Sequence, residues 1–321
     1  AYDKLTGKNN LPGLRATCQN CSRKKFHFIL NIFVTMLLNF KTLGQGKPLI
    51  ILHGLFGMLD NWQSVAKVLE HDFTLYLVDQ RNHGKSPHTA QHSYKLMAED
   101  LRDFMLREGI PQSNILGHSM GGKTAMQFAL DFPEMVEKLI IVDIGIKRYE
   151  SGHDHIFEAL QSVQLNNITN RSDAELQLTQ FIHQPGVKQF LLKNLTREPD
   201  GTYHWKFNLA ALNDNYENNI LSAINSDIPF EGETLFIRGE NSDYITFEDW
   251  PQILQLFPNA NLSTVNDAGH WVHADNPQSL IKIIQEFLSW VVIIYFYRYM
   301  LISVSGKFVF YIERFVNMSK P

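Results

Sequence analysis

Short apolar runs alternate along the chain with segments whose apolar residues recur at helical spacing. The apolar runs predict buried strands, at 48–52, 73–78, 114–116, 138–142, 234–237 and 260–265. The intervening segments predict helices, at 59–70, 94–108, 123–130, 250–257 and 276–288. Strands that alternate with helices form a parallel sheet covered on both faces. The pattern therefore predicts an α/β fold with a mostly parallel central sheet.

Residues 145–232 interrupt this alternation. The segment is polar, and its apolar residues show helical spacing in only three short patches, at 156–163, 174–181 and 187–195. It contains no convincing buried strand. We interpret it as a helical cap inserted over a site, so that the predicted core comprises 41–144 and 233–289.

The two ends of the chain differ in composition from the middle. Asp3 is the only acidic residue among residues 1–25, which contain six lysines and arginines. A basic, acid-poor segment is typical of an organelle transit peptide, so residues 1–40 are predicted to be a leader that directs the protein to an organelle. Without a working leader the predicted address is cytoplasmic. The apolar run at 26–40 is short for a membrane span.

The tail, residues 290–321, continues an apolar run at 287–304 that contains Arg298. One interpretation is a marginal tail anchor. In that case the tail and the run at 26–40 could both contact a membrane. Sequence appended to a finished domain is the other, and we favour it because the α/β pattern ends near residue 289.

Composition narrows the classes of function. The 321 residues are 44% hydrophobic, enough for a sizeable core, and the formal net charge of −4 gives no indication of a nucleic-acid partner. Cys18 and Cys21 are the only cysteines, so no disulfide framework is predicted. A structural zinc site would need further ligands at suitable spacing, and we predict no metal site.

Polar residues follow several of the predicted strands. His53, Asp79, Ser119 and Asp143 each stand at a carboxyl end, the edge at which open α/β sheets bind ligands. Ser119 also lies in a G-x-S-x-G sequence between a strand and a helix, the context of a nucleophile elbow. The flanking glycines suit a sharp turn because they have no Cβ atom. The alternative is an ordinary glycine-rich turn.

Nucleophilic serine chemistry also needs a base, an orienting carboxylate and donors for an oxyanion. His270 is the candidate base, because it follows the last strand in a short loop; His273 is a nearby alternative. The order serine, acid, histidine along the chain is the order found in α/β-hydrolases.

Residues 41–289 resemble the α/β-hydrolases, and within them the small bacterial YbfF-type esterases and the mitochondrial α/β-hydrolase domain-containing protein 11 of animals. Four motifs carry the resemblance, at 53–62, 79–84, 117–122 and 269–274. The resemblance implies esterase or lipase activity without a cofactor, with acylglycerol or diacylglycerol hydrolysis proposed for the animal members. It also implies a mitochondrial address.

Two carboxylates remain candidates for the triad acid. In the common pattern of these hydrolases the acid follows the strand at 234–237, where this chain has Ser242, and Asp243 comes one residue late. Asp143 ends the strand beside the elbow, and the YbfF-like proteins resemble the chain there too. We favour Asp143 and keep Asp243 as the alternative; Asp143 could also simply cap the segment that follows it.

The remaining site residues are assigned around the elbow. The oxyanion donors are predicted to be the backbone N–H groups of Met120 and Leu55, with Phe56 as the alternative to Leu55. Asp79 and Arg81 are predicted to brace loops. An apolar substrate pocket is predicted from five side chains, Leu55, Phe56, Met58, Met120 and Trp271.

These features predict a serine hydrolase that cleaves a carboxylic ester or thioester with a hydrophobic acyl group. A non-catalytic ligand-binding or scaffold protein on the same fold is the alternative, which the complete set of serine, histidine and carboxylate argues against. Dehalogenase and epoxide-hydrolase chemistry is disfavoured, because those enzymes have a carboxylate where this chain has Ser119. The oligomeric state is not predicted.

Overall fold

The computed structural model describes residues 36–289 of the chain. Nine strands lie in this part: β1 (Phe40–Leu43), β2 (Lys47–Leu52), β3 (Phe73–Val78), β4 (Ser113–His118), β5 (Val136–Val142), β6 (Leu195–Arg197), β7 (Tyr203–Trp205), β8 (Thr234–Gly239) and β9 (Ala260–Val265). Seven of them form one sheet in the order β1–β3–β2–β4–β5–β8–β9. All its neighbours pair in parallel except β1, which runs antiparallel to β3. The predicted mostly parallel sheet is confirmed.

Helices cover both faces of the sheet. The α-helices of the described residues are α1 (Gln63–Leu69), α2 (Tyr94–Arg107), α3 (Met120–Asp131), α4 (Asp154–Ser162), α5 (Arg171–Leu178), α6 (Pro185–Leu192), α7 (Leu209–Asn215), α8 (Trp250–Leu256), α9 (Val272–Asp275) and α10 (Pro277–Ser289). The predicted helix at 59–70 instead begins as a 3₁₀ turn, Leu59–Trp62.

The apolar runs bury side chains on both faces of the sheet. In β2, Ile50 and Leu52 belong to one core cluster with α2, α3 and α8, whereas Leu49 and Ile51 belong to another with α1 and α10. Successive side chains of a strand point to opposite faces. A strand covered on both faces therefore reads as a continuous apolar run rather than an alternating one.

Most of the buried apolar side chains of residues 145–232, here called the cap, form a cluster of their own, into which Phe56 of the core inserts. The helices α4, α5 and α6 match the three predicted patches to within a few residues. The hairpin β6–β7, the helix α7 and a π-helix at Tyr216–Ile220 were not predicted. Each of the two strands has only three residues, too few to give a periodic signal.

The core begins before the predicted boundary at residue 41. Leu38 is buried in the core, and the Asn39 side chain donates a hydrogen bond to Asp79 Oδ2 at 2.7 Å. The edge strand β1 was missed because its exposed central residues leave apolar positions only at its ends. The predicted leader is therefore too long at its carboxyl end.

The remaining predictions for the ends concern residues outside 36–289. They include the body of the leader, the Cys18–Cys21 pair and residues 290–321. Within the described residues, the helices are too short or too polar to cross a bilayer.

Candidate active site

Ser119 lies at the turn between the central strand β4 and helix α3. Its backbone has φ 53° and ψ −121°, which is strained for a residue with a Cβ atom. A Cβ atom on Gly117 would lie 2.2 Å from the Gly121 carbonyl oxygen, and one on Gly121 would lie 2.5 Å from the His53 carbonyl oxygen. Both positions of the G-x-S-x-G sequence therefore require glycine. The predicted strand–turn–helix context is present.

His270 follows β9 and faces the serine. Its Nε2 lies 3.0 Å from Ser119 Oγ. The Tyr244 ring stacks on the imidazole, with 3.8 Å between the ring centroids, and the His118 Nε2–H donates to the His270 carbonyl at 2.9 Å. The ring is thus held from one face and through its own backbone, so its orientation toward Ser119 is set by neighbours on two other elements.

Asp143 follows β5 and is fully buried. Its Oδ2 lies 2.8 Å from His270 Nδ1 and also accepts the Ser242 hydroxyl, and its Oδ1 accepts the Gly239 N–H at 2.9 Å. An ionised carboxylate only accepts hydrogen bonds, so Nδ1 of His270 carries a proton. In the neutral ring, Nε2 is then left to accept the Ser119 hydroxyl.

Asp243 lies apart from this arrangement. Its side chain is exposed, and within residues 36–289 it makes no hydrogen bond to His270. Ser242, which occupies the position common for the acid in related hydrolases, donates to Asp143 instead. The structure therefore brings together Ser119, His270 and Asp143, and leaves Asp243 outside.

The loop after β2 lies beside the elbow and contains a candidate oxyanion donor. Within the described residues, neither the Leu55 nor the Met120 N–H has an acceptor. The Phe56 N–H is already bonded to His83 Nε2 at 3.2 Å. A Cβ atom on Gly54 would lie 3.2 Å from the Ser119 Cβ, so the loop approaches the elbow closely. These contacts favour Leu55 over Phe56 as the second donor.

Asp79 and Arg81 hold neighbouring loops in place. Asp79 accepts the backbone N–H groups of Leu59 at 2.8 Å and Lys85 at 2.9 Å. Arg81 forms a buried ion pair with Asp100, with 2.5 Å between Nε and Oδ2. Both side chains lie outside the lining of the cleft, in agreement with the predicted bracing role.

A cleft that is open to solvent lies over Ser119 and His270. Of the predicted pocket residues, Leu55, Phe56 and Trp271 line it. The side chains of Met58 and Met120 do not, and that part of the prediction is wrong.

Each methionine is turned away for a local reason. The Met58 N–H is bonded to Asn61 Oδ1 at 2.7 Å as the chain enters the 3₁₀ turn, and its sulfur lies 3.9 Å from Lys206 Nζ. Met120 is the first residue of α3, and its side chain packs into the core cluster beneath the elbow.

The sequence prediction missed much of the cleft wall. The cap supplies five lining residues, His153, Ile156, Val187, Phe190 and Leu191, and the core adds Asn61, Trp62, His118 and His273. The apolar residues of the predicted helical patches at 156–163 and 187–195 were the available signal for the cap side of the cleft. His118 and His153 gave no signal, because a histidine by itself is more often structural, and His273 was considered only as an alternative base.

Burial keeps three imidazoles of the cleft uncharged. It lowers the pKa of His118 well below its usual value and lowers the pKa values of His273 and His153 to about 4. His273, the alternative base, instead stacks on Trp62 with 4.8 Å between ring centroids. At neutral pH these three rings therefore act as neutral groups.

The chain is similar to proteins of a known family. Residues 47–277 match the family model described as the alpha/beta hydrolase fold. The chain is 40% identical over 254 residues to the sn-1-specific diacylglycerol lipase ABHD11 of Danio rerio, covering 76% of this chain and 79% of that protein. It is 36% identical to esterase YbfF of Escherichia coli, covering 76% of this chain and 94% of that protein.

A solved structure is also similar. The marine microorganism esterase superposes with a TM-score of 0.77 at 45% sequence identity, covering 78% of this chain and 99% of that one. The similarity spans nearly all of that esterase and most of residues 36–289.

Proposed function

This chain belongs to the α/β-hydrolase family and is a carboxylic ester hydrolase, and from that premise we propose that Ser119, His270 and Asp143 are its catalytic triad. One observation carries the proposal. A continuous hydrogen-bonded path runs from Ser119 Oγ through both ring nitrogens of His270 to Asp143, with steps of 3.0 Å and 2.8 Å. Such a path is what activates a serine hydroxyl as a nucleophile.

The proposed reaction proceeds in two halves. His270 Nε2 takes the proton of the Ser119 hydroxyl as Oγ attacks the ester carbonyl carbon, and Asp143 stabilises the imidazolium. The Leu55 and Met120 N–H groups receive the oxyanion. His270 then gives its proton to the departing alcohol, which leaves an acyl-serine. Water, deprotonated by the same imidazole, releases the carboxylic acid.

The cleft favours a substrate with a hydrophobic acyl group. On the cap side, the cleft is lined by four apolar side chains, Ile156, Val187, Phe190 and Leu191. We propose acylglycerols, including diacylglycerol, as the first substrate class, since a relative at 40% identity is named a diacylglycerol lipase. Acyl thioesters are the second class to examine. The basic leader supports a mitochondrial address, which remains part of this proposal.

A substrate panel on the full chain tests the function. Purified protein is assayed against diacylglycerols, monoacylglycerols and acyl thioesters, together with Ser119→Ala. We expect hydrolysis of acyl esters by the wild type and a fall in kcat of about 10⁴-fold or more in the variant. Binding of these lipids without turnover would support the scaffold alternative. Equal turnover in folded Ser119→Ala would refute the serine mechanism.

A further inference from the structure

His153 is a polar residue of the cap that faces the reaction site. It precedes α4 as its N-cap residue, and its ring lines the same cleft as Ser119 and His270. The rest of the cap wall is apolar. A single polar ring in such a wall is either satisfied by the protein or available to a ligand.

The contacts of Tyr216 determine which nitrogen of His153 carries a proton. The Tyr216 hydroxyl oxygen accepts two backbone N–H groups, from Gly152 at 3.3 Å and from His153 at 3.1 Å. These bonds occupy both lone pairs of the oxygen. Its own proton must therefore be donated, and among the described residues the acceptor with hydrogen-bond geometry is His153 Nδ1, 2.7 Å away. A neutral imidazole that accepts at Nδ1 carries its proton on Nε2.

The ring is neutral under ordinary conditions. Burial is the main cause that lowers the pKa of His153 to about 4, and the neighbouring His270 contributes in the same direction. A protonated ring would also carry a second N–H directed at a hydroxyl oxygen with no lone pair left. His153 is thus a neutral donor at Nε2.

That donor has no partner among the residues that the structure describes. Within residues 36–289, no acceptor lies in hydrogen-bond range of His153 Nε2, and the atom is not among the buried polar atoms that lack a partner. It is therefore accessible. An accessible donor with a fixed tautomer, set in an apolar wall beside the nucleophile, suits a neutral oxygen acceptor on the substrate and not a cation or a metal.

We propose that His153 is a substrate-recognition residue whose Nε2–H donates to an uncharged oxygen of the substrate beyond the scissile ester group. The oxygen is a hydroxyl, ether or second carbonyl, as an acylglycerol provides in its alcohol part. This inference rests on the proposed ester hydrolysis. It names the substrate class as oxygen-bearing esters in preference to plain alkyl esters of the same size.

Matched ester pairs test the proposal in the full-length protein. One pair is propyl butanoate and 2,3-dihydroxypropyl butanoate, which differ in the alcohol part. The other is ethyl heptanoate and its 5-oxa counterpart, which differ in the acyl part. The readout is the kcat/KM ratio within each pair, and comparing that ratio between variants cancels the intrinsic reactivity of the esters. The pair that responds identifies where the recognised oxygen lies.

We expect His153→Phe to lower the ratio for one pair by about three- to tenfold, which corresponds to one neutral hydrogen bond. His153→Gln, which retains a donor, should restore part of it. Tyr216→Phe should lower it less, because the proton can then occupy either nitrogen. His155→Phe is the matched control, since His155 is an exposed histidine two residues further along, in the first turn of α4.

An unchanged ratio for both pairs in His153→Phe, or an equal loss in His155→Phe, would overturn the inference. Failure of the proposed function looks different. In that case the wild type hydrolyses none of the four esters, or Ser119→Ala hydrolyses them equally well.

Discussion

The sheet edge that holds the proposed triad and the cap that covers it are built in different ways. At the edge, Ser119 and Asp143 adopt positive φ angles of 53° and 51°, and backbone bonds to neighbouring strands hold both residues. In the cap, the α-helices have seven to nine residues and the hairpin strands only three. Strained geometry persists only where its surroundings over-determine it.

Side chains of the core also hydrogen-bond to backbone carbonyl groups of the cap. Lys123, on the helix after the nucleophile, donates to the carbonyl oxygens of Lys147 at 2.8 Å and of Ser222, near the two ends of the cap segment. Tyr94 donates to the Ile220 carbonyl at 2.6 Å. Under the proposed function, this arrangement implies a division of labour in which the edge performs the chemistry and the cap selects the substrate.

The largest effect is expected from removing the charge of Asp143, the carboxylate at the sheet edge. Asp143→Asn should lower kcat by about 10⁴-fold near neutral pH, because the triad acid orients the imidazole and stabilises its cation. Asp243→Asn is the matched control, since that carboxylate is exposed and does not contact His270. Steady-state kinetics on one acyl ester measures both. An equal loss in the two variants would show that the acids share the role.

A cap substitution should affect selectivity more than chemistry. Phe190 lines the cleft and lies 5.2 Å from the Trp271 ring, centroid to centroid. Phe190→Ala should lower kcat/KM for a decanoyl ester by about 10- to 100-fold and for an acetyl ester by much less, because a hydrophobic contact discriminates by chain length. Phe181→Ala, a partly exposed cap residue, is the control. An equal loss for both esters would place Phe190 in the chemistry.

The smallest expected effect is the loss of folding stability at low pH that buried histidines cause. Burial lowers the pKa of His92 to about 3 and that of His273 to about 4. The unfolded chain takes up protons at these positions below about pH 6.5, whereas the folded chain does not. The contribution of these histidines to the free energy of unfolding is therefore fully present above pH 6.5. It falls on acidification by about 1.4 kcal/mol per pH unit for each such histidine, down to the pKa of that histidine in the folded protein.

Urea unfolding at pH 7, 6 and 5 measures this dependence. His92→Gln should reduce the slope of unfolding free energy against pH by the contribution of one histidine. His155→Gln, at an exposed cap position, should leave the slope as in the wild type. A slope that is unaffected by His92→Gln would mean that this ring is protonated in the folded protein.

The edge was more predictable from the sequence than the cap, for a physical reason. A buried parallel strand is continuously apolar, and a sharp elbow requires glycines at fixed spacing, so both features leave short local patterns. The sequence narrowed the candidates for the triad acid to Asp143, which we favoured, and Asp243. It could not decide between them, because the choice depends on the directions in which the side chains of Ser242 and Asp243 point. Only the folded loop shows Ser242 bonded to Asp143.

The cap residues could not be assigned in the same way. Three-residue strands and short helices carry little periodicity, so the hairpin and α7 left no readable pattern. Met58 was assigned to the pocket because it is apolar and close to the loop, yet a turn bonded to Asn61 directs it elsewhere. His153 became visible only through its contact with Tyr216, which lies 63 residues further along the chain.

The most direct test of the central claim, that Ser119 is the activated nucleophile, is covalent labelling with a fluorophosphonate followed by mass spectrometry of peptides. The full-length wild type should carry a single adduct, on Ser119, and lose its esterase activity in proportion to labelling. Ser119→Ala should remain unlabelled, and His270→Gln should label far more slowly. Ester hydrolysis that persists in fully labelled protein, or an adduct on another residue that abolishes it, would contradict the account.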